Sequence, residues 1–123
     1  MTNPVCYVEM PVTDLDRAIA FYGAVFGCTF ERAVVDGNEM ALFPADPTGT
    51  GVSGALACGE SYLPGRQGAR VYFRVDDVTD ALGRAVAAGG RELYPPTTVP
   101  GNGNVAEFED SEGNCVAVFA AVR

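Results

Sequence analysis

The sequence predicts an α+β fold built from two tandem β-α-β-β-β modules. The first observation is a repeat: Val12-Thr13-Asp14-Leu15 returns 63 residues later as Val75-Asp76-Asp77-Val78. The second is that each copy runs from an alternating, strand-like segment through a capping aspartate into an amphipathic helix with a glycine stop. Further alternating segments then follow in each half. Because an internal repeat fixes the architecture of a chain, the two copies predict two equivalent modules.

The first module is predicted over about residues 5–58. Alternation over 6–12 indicates a half-buried strand, with Val8, Met10 and Val12 on one face. Asp14 is placed to cap a helix that ends at Gly27. Strands are predicted at 29–34, 39–43 and 52–57, the first two joined by an Asp36-Gly37 hairpin turn.

The second module is predicted over about 69–122, after a glycine-rich linker at 59–68. It begins with a strand at 69–75 and a helix capped by Asp77 and stopped by Gly89-Gly90. Strands follow at 91–94, 105–109 and 115–121. The segment 95–104 is rich in Pro, Gly and Asn and is expected to be irregular, and 110–114 is expected to form a tight turn. The whole chain, 1–123, is expected to be one domain.

Composition narrows the classes of partner. The 123 residues are 48% hydrophobic and 20% charged, enough for a buried core. The net charge of −8 argues against nucleic acid, whose phosphates need a basic surface. That charge could steer a cationic ligand or serve only solubility, and both remain open. With neither a signal peptide nor a membrane-spanning segment expected, the four cysteines are predicted to be reduced thiols in a cytoplasmic protein.

Longer motifs carry a family resemblance. The stretch from Val8 to Ala18, followed by Phe21-Tyr22 and Val25-Phe26-Gly27, resembles the opening of a vicinal oxygen chelate protein. Phe73–Val78 and Glu107–Asn114 resemble the second-half signatures of that superfamily. It includes glyoxalase I, extradiol dioxygenases, fosfomycin resistance enzymes and bleomycin resistance proteins. The resemblance implies curved sheets that form a cup with the helices outside.

The positions that the resemblance assigns to metal ligands hold unsuitable residues. Metal-using members place a ligand, usually His or Glu, on the first and last strand of each module. Those positions correspond here to Tyr7, Gly54, Arg70 and Ala117, and the chain contains no histidine. Because zinc and the octahedral ions of this family require imidazole, thiolate or carboxylate, we expect no metal and no cofactor.

Glu9 is the sharpest candidate for a functional side chain. If the aliphatic face of the first strand meets the helix, Tyr7 and Glu9 face the cup. Glu9 could bind a ligand amine or act as a base, or it could form a structural ion pair with Arg70 or Arg74. The candidate ligand-binding residues are Tyr7, Glu9, Tyr62, Arg70, Tyr72 and Arg74.

Three functions fit this pattern. The leading one is metal-independent binding of a cationic or aromatic small molecule. The resemblance to the bleomycin resistance proteins implies that such binding would sequester a toxic or signalling compound. The alternative is a glyoxalase-like lyase or isomerase, or a dioxygenase-type enzyme, with Glu9 as base or ligand. A third is a module that works only in assembly with a partner chain. We expect a homodimer, in which two modules form each cup either within one chain or between chains.

Overall fold

The structure is a computed structural model that describes residues 3–122. The chain forms two β-α-β-β-β modules in tandem, as the repeat predicts. The first contains β1 (Val8–Val12), α1 (Leu15–Phe26), β2 (Glu31–Val35), β3 (Asn38–Leu42) and β4 (Gly54–Cys58). The second contains β5 (Val71–Arg74), α2 (Val78–Ala87), β6 (Arg91–Val99), β7 (Gly103–Glu109) and β8 (Cys115–Ala121).

Each module folds into its own open, curved, four-stranded sheet. The strand orders are β1-β4-β3-β2 and β5-β8-β7-β6. In both sheets the first strand pairs in parallel with the last, and the other pairs are antiparallel. The two strand orders are the same once the modules are superimposed in sequence, which confirms the α+β fold of two tandem modules.

Both helices begin at the predicted aspartates. Asp14 has an extended backbone, and its side chain accepts a hydrogen bond from the Arg17 amide. Asp77 does the same for the amides of Thr79 and Asp80. These bonds satisfy amide groups that have no partner within the helix. The α1 helix ends at Gly27, whose φ of 68° is a left-handed conformation that glycine adopts without strain.

One hydrophobic core joins the modules. It contains the helix-facing residues of both sheets together with the apolar stripes of both helices. Tyr22 and Val25 of α1 are fully buried, and the Phe26 ring stacks on Phe73 of β5 with the ring centres 4.4 Å apart. The α1 helix therefore packs against the second module as well as its own sheet.

The β7–β8 turn, residues 110–114, forms a second connection, which we call the inter-module turn. Glu112 accepts hydrogen bonds from the backbone amides of Thr13 and Asp14, at 2.9 and 3.0 Å, and its carboxylate pairs with Arg17 at 2.7 Å. The hydroxyl of Tyr22 donates to buried Asp110 at 2.5 Å. The turn therefore fastens the second module to the N-terminal half of α1.

One expectation was wrong. The segment 95–104 was predicted to be irregular, but β6 continues through Pro95 and Pro96 to Val99. The prolines are tolerated because β6 is an edge strand of its sheet, and the pairing with β7 shifts register beside them. The strand β7 correspondingly begins at Gly103 rather than 105.

Candidate functional site

The side chains of β1 are divided between the two faces of the first sheet. Met10 and Val12 are buried on the helix side, whereas Tyr7 and Glu9 lie on the opposite face, which we call the open face. The floor of the first open face is a small apolar cluster formed by buried Met40, Ala55 and Ala57, with Leu42 and Tyr62 packed against it. The alternation of β1 therefore places Glu9 over an apolar floor.

Two tyrosines hold the carboxylate of Glu9. The Tyr62 hydroxyl donates to Glu9 Oε1 at 2.7 Å, and the Tyr7 hydroxyl donates to Oε2 at 3.1 Å. The two hydrogen bonds therefore engage both oxygens of the Glu9 carboxylate. The hydrogen bond to Glu9, together with burial, raises the pKa of Tyr62 above 10. Burial and the bond to Glu9 likewise raise the pKa of Tyr7. Both hydroxyls therefore remain protonated donors at neutral pH.

The arginines considered as partners of Glu9 lie elsewhere. Arg70 pairs with Glu107 of β7 at 3.1 Å. Within residues 3–122, Glu9 takes part in no ion pair. Arg74 and Tyr72 line a different space, a cleft of about 850 Å³ between the modules. The structure thus brings Tyr7, Glu9 and Tyr62 together and separates them from Arg70, Tyr72 and Arg74.

The second sheet also presents an open face with aromatic side chains. Tyr72, Ala117, Glu107 and Tyr94 are consecutive partners across β5, β8, β7 and β6. The two tyrosines at the ends of this row are 53% and 42% exposed. Both open faces therefore combine a carboxylate with tyrosines, but only the second neutralises its carboxylate with an arginine.

The positions expected for metal ligands do not fit a metal ion. A Cβ atom at Gly54 would lie 1.8 Å from the carbonyl oxygen of Val8, so no ligating side chain can replace this glycine. Arg70 is a cation already paired with Glu107, and Ala117 has no donor atom. Among residues 3–122, no three His, Cys, Asp or Glu side chains are grouped so that they could hold a metal ion.

Sequence reasoning missed the residues that connect the modules. Tyr22 is fully buried on α1, and its hydroxyl reaches Asp110. Residues 110–114 were interpreted only as a tight turn, although Asp110 and Asn114 are each only 4% exposed. The available signal was that a tyrosine on a buried helix stripe needs a partner for its hydroxyl.

The fold and these faces define a protein class, and comparison with known proteins identifies the family. Residues 5–118 match the model of the Glyoxalase/Bleomycin resistance protein/Dioxygenase superfamily, and the chain belongs to that superfamily. The chain is 30% identical over 99% of its length to the protein named "Putative glyoxylase CFP32" from Mycobacterium bovis and from Mycobacterium tuberculosis. It spans 44% of those proteins, less than half of their length.

Solved structures show the same fold. The antibiotic binding protein TnmS3 from Streptomyces sp. CB03234 superimposes with a TM-score of 0.71 at 22% identity, with 98% of each chain covered. The fosfomycin resistance protein FosX from Listeria monocytogenes gives a TM-score of 0.74 at 19% identity, covering 99% of this chain and 94% of its own. In the described part of the chain, no helix is long and apolar enough to cross a membrane.

Proposed function

We propose that this protein binds a small molecule without a metal ion, at the first open face, through Glu9. The observation that carries the proposal is the Glu9 carboxylate itself, which is partly buried and bonded to two tyrosine hydroxyls. A carboxylate above an apolar floor suits a ligand that presents an amine beside an aromatic or aliphatic group. The net charge of −8 would attract such a cation over a longer range.

The relatives support a binding role. TnmS3 is described as an antibiotic binding protein and FosX as a fosfomycin resistance protein. By analogy, we propose that the ligand here is a toxic or signalling compound that is sequestered rather than converted. The four cysteines within the described chain are free thiols, which supports the cytoplasm as the compartment.

The alternative is a lyase or isomerase in which Glu9 removes a proton from the substrate. The specific observation in its favour is the Tyr62 hydroxyl, 2.7 Å from the carboxylate, because a base beside a hydroxyl donor could serve both steps of a proton transfer. The glyoxylase name of the mycobacterial relatives points the same way. Turnover of a ligand that binds would favour this alternative over sequestration.

The test is the binding of a matched pair of aromatic probes, tyramine and 4-ethylphenol, which differ by one amine. We expect tyramine to bind more tightly, and Glu9→Gln to weaken tyramine by roughly ten- to a hundred-fold with little effect on 4-ethylphenol. Glu107→Gln, which changes the paired carboxylate of the second sheet, is the control. Titration calorimetry should give the same affinities with and without a chelator. Equal affinity of both probes for the wild type, or loss of binding in chelator, would contradict the proposal.

A further inference from the structure

Asn114, at the end of the inter-module turn, links three separate segments through one side chain. It is 4% exposed. Its Nδ2 donates to the carbonyl oxygen of Pro11 at 2.8 Å and to Asp110 Oδ2 at 2.9 Å. Its Oδ1 accepts from the backbone amide of Gly65 at 3.1 Å. An asparagine with both ends of its amide engaged has a fixed orientation, because a flipped amide would lose these bonds.

Two of those segments carry the groups that meet at the first open face. Pro11 lies two residues beyond Glu9 on β1, and Gly65 lies three residues beyond Tyr62 in the loop between β4 and β5. The near end of this loop is held by a turn in which the Tyr62 amide donates to the Gly59 carbonyl at 3.1 Å. Beyond Tyr62 the loop is mostly exposed, and the partly buried Gly65–Asn114 bond anchors it to the inter-module turn.

A second contact of the same loop, an ion pair, is weakened by its exposure to solvent. Arg66 pairs with Glu109 of β7 at 2.9 Å, but its side chain is 48% exposed. Water and salt screen such a pair, so it contributes little to fixing the loop. The buried amide of Asn114 instead bonds directly to both the loop and β1.

We propose that Asn114 is a positioning residue that joins the loop bearing Tyr62 to the strand bearing Glu9, and so holds the two groups in contact. This inference rests on the proposed function, because the contact has a role in binding only if Glu9 binds a ligand. The titration that tests the positioning role does not depend on the proposed function. The second module thereby shapes a ligand site on the sheet of the first. Asn114 itself forms no hydrogen bond with Glu9, Tyr7 or Tyr62.

The test uses a matched pair of variants at Gly65. Gly65→Pro removes the amide N–H that donates to Asn114 Oδ1, whereas Gly65→Ala keeps that N–H. A Cβ atom at position 65 meets nothing within 4 Å, so the alanine fits without a clash. Asn114→Ala is a second, independent route to the same loss. The readout is the titration of each of the five tyrosines, followed by NMR of protein labelled at the tyrosine Cζ and assigned by Phe substitution.

In the wild type and Gly65→Ala, we expect the pKa of Tyr62 to be raised, because its hydroxyl is bonded to Glu9. In Gly65→Pro and Asn114→Ala, the pKa of Tyr62 should fall toward the ordinary value. The pKa of Tyr7 should stay raised, because Tyr7 directly precedes β1 and does not depend on the loop to reach Glu9. A merely structural role would lower stability without moving Tyr62 selectively. An unchanged Tyr62 titration in both folded variants would overturn the proposal.

Tyramine binding separates this inference from the proposed function. If both hold, Gly65→Pro should weaken tyramine by roughly 2- to 10-fold relative to Gly65→Ala, the effect of one misplaced hydrogen-bond partner. If the wild type binds no tyramine but the Tyr62 titration still shifts in the variants, the proposed function fails while the positioning role of Asn114 stands.

Discussion

Glu9 is stabilised by neutral hydroxyl donors, and this affects how substitutions at that position behave. An ion pair loses its counter-charge when the carboxylate is neutralised, whereas a tyrosine hydroxyl can either donate or accept. A glutamine at position 9 can therefore accept from one tyrosine through its oxygen and donate to the other through its nitrogen. The site keeps its shape while it loses its charge.

We therefore expect Glu9→Gln to lower the free energy of unfolding by no more than about 1 kcal/mol, or about 4 °C in melting temperature. Thermal unfolding followed by circular dichroism measures this. Glu112→Gln, the same chemical change at a carboxylate with no exposed side-chain surface and an arginine partner, should cost more. A melting temperature for Glu9→Gln that falls as far as that of Glu112→Gln would mean that Glu9 is structural.

The alternation of β1 was enough to predict that Tyr7 and Glu9 share a face, because side chains of a strand alternate regardless of what surrounds it. The contact from Tyr62 was not predictable in the same way. Tyr62 and Glu9 are 53 residues apart in sequence, and the loop between β4 and β5 has no periodicity that fixes its path. Its position depends on Asn114, a residue that the sequence presents only as part of a turn.

At the scale of the elements, the first helix depends on a distant carboxylate. Burial alone would raise the pKa of Glu112, but hydrogen bonds from Arg17 and from the amides of Asp14 and Thr13 prevail and lower it from 4.5 to about 2. A negative charge at this end of α1 also complements the helix dipole. The inter-module turn thus contributes to the stability of α1 through charge as well as through hydrogen bonds.

The sign of this shift predicts how stability responds to acid. A carboxyl group whose pKa is lowered by folding stabilises the protein fully above pH 4.5, and that stabilisation is lost as the pH falls toward 2. We expect the wild type to exceed Glu112→Gln by about 2 kcal/mol at pH 7, after allowance for the half-exposed Arg17. Urea unfolding from pH 7 to pH 2 should show this difference shrink through that window. A constant difference across the range would contradict the assignment.

Helix ends and turns, which depend on residues adjacent in sequence, were predicted well. Strand ends, which depend on pairing with distant strands, were predicted less well. The caps of α1 and α2, and the Asp36-Gly37 turn with positive φ at both residues, follow from residues adjacent in sequence. The strand β6 was underestimated, because Pro95 and Pro96 oppose a strand locally but are permitted at a sheet edge. Edge position is a property of the assembled sheet, which the sequence does not state.

At the scale of the whole molecule, the 63-residue repeat predicted the architecture but not the asymmetry between the halves. The β7–β8 turn packs on the start of α1, whereas the longer β3–β4 connection leaves the cleft of about 850 Å³ near the start of α2. The candidate ligand residues also divide between the two sheets, with Glu9 on β1 and Tyr72 on β5. A repeat identifies equivalent positions, and the contacts between the copies then make those positions different.

The exposed surface of both sheets leads to an expectation about assembly. The strands β1 and β5 are sheet edges, and Tyr7, Tyr72 and Tyr94 are each more than 40% exposed on the open faces. Unpaired edges beside exposed aromatic surface favour association. We expect a homodimer at micromolar concentration, measured by light scattering, with Tyr72→Lys shifting it toward monomer and Leu63→Lys, in the exposed loop, as control. A wild-type monomer at that concentration would contradict this expectation.

The partners of Glu112 and Asp110, which lie on α1 and in the two residues before it, are separated from them by 88 to 99 residues of chain. During synthesis, the first helix therefore leaves the ribosome long before the carboxylate that closes its N-terminal end exists. Contacts between such distant residues slow folding, because a large loop must close before they form. We therefore expect the first module to stay incompletely folded until β7, β8 and the turn between them have been synthesised. The two modules share one topology, but the first does not complete its folding without the second.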